Sequence, residues 1–265
     1  MTPFNAEPGS AMETDTSPSG VREEQRRLWE DETHYRYHAR QFTQEYRSTV
    51  HLRRFLQRLP LHGGEALDIA CGAGANIYHL GPALPEYRWT GVDIVGEPLF
   101  AIGRPWFEQR GPAATLVQGD LYALDAAFPE RRFDLVLCLQ TLSWLPELDE
   151  ALAQALRLTR GWLVLSSLFS DADVDTRCQA VDHTAAPGLP PHFLNVYSLR
   201  RLRELCESHG CRSFVVEDFE IDVDLEPPAS GGLGTYTRRL ADGGLLQFTG
   251  PIYLPWKFVA VQMGG

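Results

Sequence analysis

Four places in this chain carry residues whose types and spacing could bind and orient a small ligand. The run Leu67-Asp68-Ile69-Ala70-Cys71-Gly72-Ala73-Gly74-Ala75-Asn76 sets a carboxylate just ahead of a turn built from small residues. Side chains without bulk let backbone approach a ligand closely, and a turn that opens into a helix presents unpaired N–H groups. In Gly91-Val92-Asp93-Ile94 an apolar run ends on an acid, which can accept hydrogen bonds from both hydroxyls of a ribose. In Gln118-Gly119-Asp120-Leu121 another carboxylate can accept from an adenine amino group while the next backbone N–H donates to the ring. A fourth apolar run breaks into polar residues at Leu139-Gln140-Thr141-Leu142-Ser143-Trp144.

Two other readings of the first turn stand beside this one: a strand-to-helix turn that holds nothing, and a dinucleotide site. Gly72 and Gly74 match the first two glycines of G-x-G-x-x-G, but Ile77 occupies the third place, where a small residue allows close packing around a pyrophosphate. Asp68 would repel that pyrophosphate, whereas it suits a ligand carrying an ammonium and a sulfonium.

Further residues could act on a second substrate. His38, His183 and His192 are candidate bases, because an unperturbed histidine titrates near neutral pH. Each has the plainer alternative of a surface or hydrogen-bonded histidine. Arg47, after Tyr46, could hold the carboxylate of a cofactor or an acidic group of a substrate through a bidentate guanidinium, or could be an ordinary helix-surface arginine. Trp144, Tyr197 and Tyr236, with Phe193 and Trp256, could floor a pocket or stack on a sugar ring, or belong to the core. The acidic run Asp171-Ala172-Asp173-Val174-Asp175 lacks the glycine and glutamate of a calcium loop, so it reads as a solvated loop and no metal is expected.

The elements that must position these residues are legible from periodicity. Apolar runs of strand length cover Ala66 to Ala70, Trp89 to Ile94, Thr115 to Gln118, Phe133 to Leu139, Trp162 to Leu168, Phe214 to Ile221 and Lys257 to Gln262. Helical spacing covers Ile77 to Leu84, Glu97 to Gln109, Leu148 to Leu158 and Ser198 to Ser208, the last opening on Ser198 as N-cap. This alternation predicts an α/β fold with a mainly parallel sheet covered by helices on both faces. Residues 1–20 read as a disordered tail, 21–63 as a cap of one or two helices, and 64–265 as the main domain. Two connections, Ser170 to Tyr197 and Asp222 to Trp256, are too long for plain links and are expected on the substrate side. The second carries a hairpin signal around Ala241-Asp242-Gly243-Gly244.

Composition narrows the function. Of 265 residues 44% are hydrophobic and 22% charged, and no run approaches the roughly 18 apolar residues of a membrane helix. Thirty-five acids against 24 basic residues give a net charge of −11, which disfavours a nucleic-acid backbone as partner and favours a small molecule or saccharide. Five cysteines in apolar surroundings, with no CxxC pair, suit reduced thiols in the cytoplasm. Nothing here speaks to an oligomeric state.

Taken in order, Leu67-Asp-Ile-Ala-Cys-Gly-Ala-Gly, Gly91-Val-Asp-Ile, Gln118-Gly-Asp-Leu and Leu139-Gln-Thr-Leu resemble the motifs of class I S-adenosylmethionine-dependent methyltransferases. The resemblance covers roughly residues 64–262. It implies a Rossmann-like seven-stranded sheet whose last strand inserts antiparallel beside the fifth, with S-adenosyl-L-methionine as cofactor. It places Asp68, Gly72 and Gly74 beside the methionine moiety, Asp93 with Ile94 at the ribose, Asp120 and Leu121 at the adenine, and the Gln140 backbone at the methionine amine. Ala70 stands in the same site where many members have glycine. No Asn/Asp-Pro-Pro-Tyr motif follows the fourth strand, which argues against methylation of nucleobase amino groups. Tyr46-Arg-Ser-Thr, Leu165-Ser-Ser-Leu-Phe, Phe193-Leu-Asn-Val-Tyr-Ser and Gly250-Pro-Ile-Tyr-Leu-Pro-Trp are similar to a bacterial methyltransferase group of surface-polysaccharide and related small-molecule pathways. The expected activity is methyl transfer to an oxygen, or in second place a nitrogen, of a small-molecule or saccharide acceptor. The alternatives are a catalytically silent cofactor-binding subunit and a NAD-dependent oxidoreductase.

Overall fold

The computed structural model describes residues 18–30, 32–129 and 132–264. Most of the expected tail, residues 1–17, lies outside the described residues. Three helices then precede the sheet, where the sequence suggests one or two: α1 (Pro18–Arg26), α2 (Glu32–Thr43) and α3 (Arg47–Leu56). The break before α3 falls at Tyr46, whose backbone is extended (φ −76°, ψ 151°).

The main sheet has the seven expected strands: β1 (Gly64–Ile69), β2 (Tyr87–Asp93), β3 (Ala114–Gln118), β4 (Phe133–Leu139), β5 (Thr159–Ser170), β6 (Cys211–Asp218) and β7 (Trp256–Met263). Their order is β3-β2-β1-β4-β5-β7-β6. The first five run parallel, and β7 is antiparallel to both β5 and β6. A two-residue strand, Tyr197–Ser198, adds to the end of β5. β6 begins and ends three residues before the expected span, because no residue of this edge strand is fully buried and its apolar residues do not mark its ends.

Alternate residues of the central strands feed two cores. Leu67, Val136, Cys138, Leu163 and Leu165 face helices α7 (Asp149–Leu158) and α8 (Leu199–Ser208), whose Leu152, Leu156 and Leu202 join them. Ala66, Leu135, Leu137, Val164 and Phe258 face α3 and α4 (Ala75–Leu80) through Leu52, Phe55, Ile77 and Leu80. Burial on both faces is why these strands read as nearly unbroken apolar runs. α4 stops short of the expected Leu84 and passes into a 3-10 turn at Gly81–Ala83, since Pro82 has no N–H to continue the helix. α5 (Glu97–Arg110) follows the prediction, and α8 is capped by Ser198, whose hydroxyl accepts from the Arg201 N–H at 3.4 Å. The short α6 (Leu124–Ala127) follows β3.

The first long connection folds back through an antiparallel pair, Gln179–Ala180 with His192–Phe193. The second forms a small antiparallel sheet, Thr235–Arg239, Leu245–Thr249 and Ile252–Tyr253, with the expected hairpin turn between its first two strands. Among the described residues no helix is long and apolar enough to cross a membrane.

Candidate active site

The order β3-β2-β1-β4 leaves a crevice where successive connections leave β1 and β4 in opposite directions, the place where open parallel sheets take their ligands. A cavity of about 510 Å³ opens there, bounded by the segments after β1, β2, β3 and β4 and covered by α1 and α2.

The turn after β1 is held in an uncommon backbone shape. Ala70, Gly72 and Gly74 have φ of 56°, 57° and 89°. Glycine takes this region freely, but alanine does not, which explains physically why glycine is common at position 70 in the families this chain resembles. The Cys71 N–H donates to the Val92 carbonyl at 3.1 Å and the Gly74 N–H to the Cys71 carbonyl at 2.9 Å. Gly72 also accepts a neighbour: a Cβ there would lie 2.2 Å from Cε1 of His38.

Asp93 ties the turn to the next strand end. One carboxylate oxygen accepts from the Gly72 N–H and the other from the Val95 N–H, each at 2.9 Å. The residue is 8% exposed, and burial raises its pKa despite these two bonds, which pull the other way. Each oxygen keeps lone-pair capacity on the cavity side. Asp68 lies under the turn, 1% exposed, with Oδ2 buried and unpartnered. Burial first, then the neighbouring Asp93, pushes its pKa up to about 8. After β3, Asp120 accepts from the Tyr122 N–H at 2.9 Å and caps the short turn Leu121–Ala123. After β4, Gln140 is bent to φ 52° and donates its N–H to the Ser166 carbonyl at 2.6 Å.

The chemistry of this donor set fits an adenosyl amino acid. Acids stand at two adjacent strand ends, a tight turn exposes backbone, and a buried carboxyl lies beneath it. Residues 34–215 match the profile of a methyltransferase domain. The chain belongs to that family. This methyltransferase resembles, in fold, the YcgJ protein from Bacillus subtilis, at 13% identity and a TM-score of 0.56 over 83% of this chain and 100% of that one. It also resembles an S-adenosylmethionine-dependent methyltransferase from Clostridium acetobutylicum, at 11% identity and a TM-score of 0.51 over 93% and 98% of the two chains. A magnesium protoporphyrin IX methyltransferase from Synechocystis with bound SAH is 15% identical with a TM-score of 0.50, over 95% of this chain and 98% of that one. At such identities the likeness concerns the fold alone. None of the curated proteins compared with the chain is a match.

In the methyltransferase, Ala70, Asp93, Ile94, Asp120, Leu121, Gln140, Trp144, His38 and His192 all border the cavity, as does Trp256. Asp68, Gly72 and Gly74 do not themselves border it, although the turn they belong to does through Ala70 and Cys71, and four other candidates sit elsewhere. Arg47 is half exposed and pairs with Asp222 at 3.1 Å, because α3 turns it away from the cavity. His183 is exposed, on a turn where Asp182 accepts from the backbone and hydroxyl of Thr184 and from the Leu233 N–H. Tyr197 is 1% exposed in the core, its hydroxyl accepting from Asn195 Nδ2 at 3.1 Å. Tyr236 spends its hydroxyl on the Gly250 carbonyl at 2.7 Å within the small sheet. The acidic run is engaged by bases: Asp173 with Arg200, Asp175 with Arg201, Asp171 with Lys257. No cluster able to hold a metal occurs among the described residues.

Of the cover, sequence reasoning found the helical cap and His38 but missed its other cavity-facing residues. Arg22, Gln25, Arg26 and Trp29 border the cavity from α1 and the turn after it, and His34, Tyr37, His38 and Gln41 from α2. Both sets have the spacing i, i+3, i+4, i+7 of one helical face, a signal that was available. Arg22 pairs with Glu147 at 2.7 Å and Glu150 at 2.5 Å and lies 3.6 Å over the Tyr122 ring. Arg26 pairs with Glu23 and Glu30. Gln25 Nε2 donates to the Pro191 carbonyl at 2.8 Å.

Proposed function

We propose that this methyltransferase moves the methyl group of S-adenosylmethionine to an oxygen, or in second place a nitrogen, of a small-molecule or saccharide acceptor. The cofactor is S-adenosylmethionine, which when bound supplies a methyl group on a positively charged sulfur. Asp93 is the observation that carries the reading. It is a buried acid on the cavity wall, fixed by two backbone N–H groups, with lone pairs left for two ribose hydroxyls.

In this reading Asp120 accepts from the adenine amine and the Leu121 backbone donates to the ring. The turn Ala70 to Gly74 and the Gln140 backbone flank the amino-acid arm, with the Asp68 carboxyl beneath. The NAD alternative loses its basis, because the family is one of methyltransferases and Ile77, at the third fingerprint place, is fully buried in the core. Residues 21–63 act as a helical cap on the domain 64–265.

Methyl transfer is an in-line displacement, so the protein chiefly aligns the acceptor, excludes water and, for a hydroxyl, accepts a proton. Trp144 and Trp256 offer apolar walls for the acceptor. His192 is the bordering histidine on the first insertion and the candidate proton acceptor; the exposed His183 has no part in this reading. His38 is a poor base, its pKa lowered to about 3 by burial and then by His34. That weakness is the one observation favouring a silent cofactor-binding subunit as second reading. All five cysteines are unpaired thiols, in keeping with a reducing, cytoplasmic setting.

Calorimetry with S-adenosylhomocysteine tests the core of the proposal. The native protein should bind, and Asp93→Ala should weaken binding by more than about 1.4 kcal/mol, a factor of ten. Unchanged affinity in a folded variant would remove the ribose role. Methyl-labelled cofactor and a cell extract then separate the readings, since only the enzyme passes label to a low-mass product.

A further inference from the structure

We propose that the acceptor is an uncharged molecule presenting a phenolic hydroxyl on an aromatic ring, rather than a saccharide. The inference rests on the methyltransferase reading above and names the substrate class of the same cavity.

Once the cofactor residues at the strand ends are set aside, much of what borders the cavity is apolar. Trp144, Leu145 and Pro146 follow β4, Leu233 stands on the second insertion, and Trp256 opens β7. Indole faces and branched aliphatic groups are the surfaces on which a flat apolar ring packs. A sugar ring asks for the opposite, since each hydroxyl taken from water needs a partner and one left without weakens binding. The threonines on this side have little to give. Thr141 Oγ1 already donates to the Leu139 carbonyl at 2.9 Å, Thr249 Oγ1 accepts from the Gly234 N–H at 3.1 Å, and Thr235 is exposed.

One polar place stands out among these walls. Gln25 Nε2 donates to the carbonyl of Pro191, the residue before His192, which fixes the sense of the amide and leaves Oε1 buried and without a partner. A single waiting acceptor suits a ligand with few hydroxyls. Arg22 and Arg26 are each paired with two glutamates, so neither guanidinium is at hand for an acidic acceptor.

The proton points the same way. Asp93 and Asp120, the carboxylates bordering the cavity, are given to the ribose and the adenine, and burial holds the protons on Tyr37, Cys71 and Tyr122. What remains to take a proton is imidazole, which as a class titrates near 6.5. An aliphatic hydroxyl ionises about as reluctantly as water, near pH 16, and so weak a base draws little from it. A phenol ionises near pH 10, as tyrosine does, and needs far less help. The phenolic oxygen forms its bond to the methyl carbon as the carbon–sulfur bond breaks, the electron pair of that bond stays on sulfur, and the hydroxyl proton leaves to an imidazole or to water.

The test uses methyl-labelled S-adenosylmethionine with a cell extract, the low-mass label being divided between ethyl acetate and water at neutral pH. Label should collect in ethyl acetate, survive mild alkali and travel with the ultraviolet absorbance of an aromatic ring, as an aryl methyl ether does. Label left in the water layer, as for a methylated saccharide, would overturn the assignment, and so would label that alkali releases as methanol, the mark of a methyl ester. Offered singly, methyl 4-hydroxybenzoate should take label at least tenfold faster than methyl α-mannopyranoside, and the reverse order would overturn it too. Trp144→Ala should cut the organic-soluble label at least tenfold and Trp144→Phe should keep most of it, with affinity for S-adenosylhomocysteine within about twofold of native in both. Undiminished labelling by the alanine variant would count against the ring-binding wall. A protein that binds S-adenosylhomocysteine yet labels nothing would remove the methyl-transfer reading itself, a result separate from the others.

Discussion

Replacing Asp68 by asparagine removes a charge and keeps the outline of the side chain. The native carboxyl is 1% exposed and has one unpartnered oxygen, and its pKa rises from the ordinary 3.8 to about 8. Between those two values the folded protein holds a proton that the unfolded chain has released. Stability from this group is therefore complete below about pH 4 and is lost as pH climbs toward 8. Each pH unit is worth about 1.4 kcal/mol, so the native protein loses up to about 4 kcal/mol between pH 5 and pH 8 on this account alone. Relaxation of the surroundings brings the expected figure to about 2–4 kcal/mol. Asparagine does not titrate. Urea unfolding followed by tryptophan fluorescence at pH 5, 6.5 and 8 should show native protein and Asp68→Asn close together at pH 5 and the variant more stable by that amount at pH 8. Parallel pH profiles for the two proteins would show that Asp68 is not an unpaired buried acid.

Two further substitutions probe the scaffold. Ala70→Gly relieves a left-handed backbone that costs an L-residue about 1–2 kcal/mol, partly offset by the greater freedom of glycine when unfolded, so Tm should rise by about 1–3 °C; a lower Tm contradicts the strain. Asn195→Ala leaves the N–H of Cys178 and the carbonyl of Leu145 without their partner in the interior and should cost about 3 kcal/mol in chemical denaturation. A loss under about 1 kcal/mol would mean that these bonds contribute little.

The sheet was readable because its central strands are covered on both faces, so each appears as an apolar run ended by polar or small residues. β6, half-buried at the edge, shows how the signal weakens once one face is wet: its ends moved by three residues. Asp93, Asp120 and Gln140 were readable for a related reason, since a residue at the C-terminal end of a parallel strand has its place decided by the topology. Tyr197, Tyr236 and His183 sit in the insertions, whose course depends on contacts far away in the chain. Apart from His38, the inner faces of α1 and α2 escaped notice because they carry mostly arginine, glutamine and histidine. Hydrophobic periodicity treats such residues as facing water, whereas here they face a polar cavity.

One buried amide decides how the first insertion can behave. Asn195, fully buried, donates its backbone N–H to the Ser143 carbonyl at 2.8 Å and its side-chain amide to the Leu145 carbonyl at 2.8 Å and the Tyr197 hydroxyl, and it accepts from the Cys178 N–H at 3.2 Å. Ser143 is itself stitched to β5, its hydroxyl 2.6 Å from that of Ser167. A stretch that by length alone would qualify as a swinging flap is thus riveted to the framework near its C-terminal end, with Cys178 fastened to the same amide. Molecules meeting that side of the cleft are sorted by a fixed mould, and a change of preference there calls for new side chains on the mould's surface.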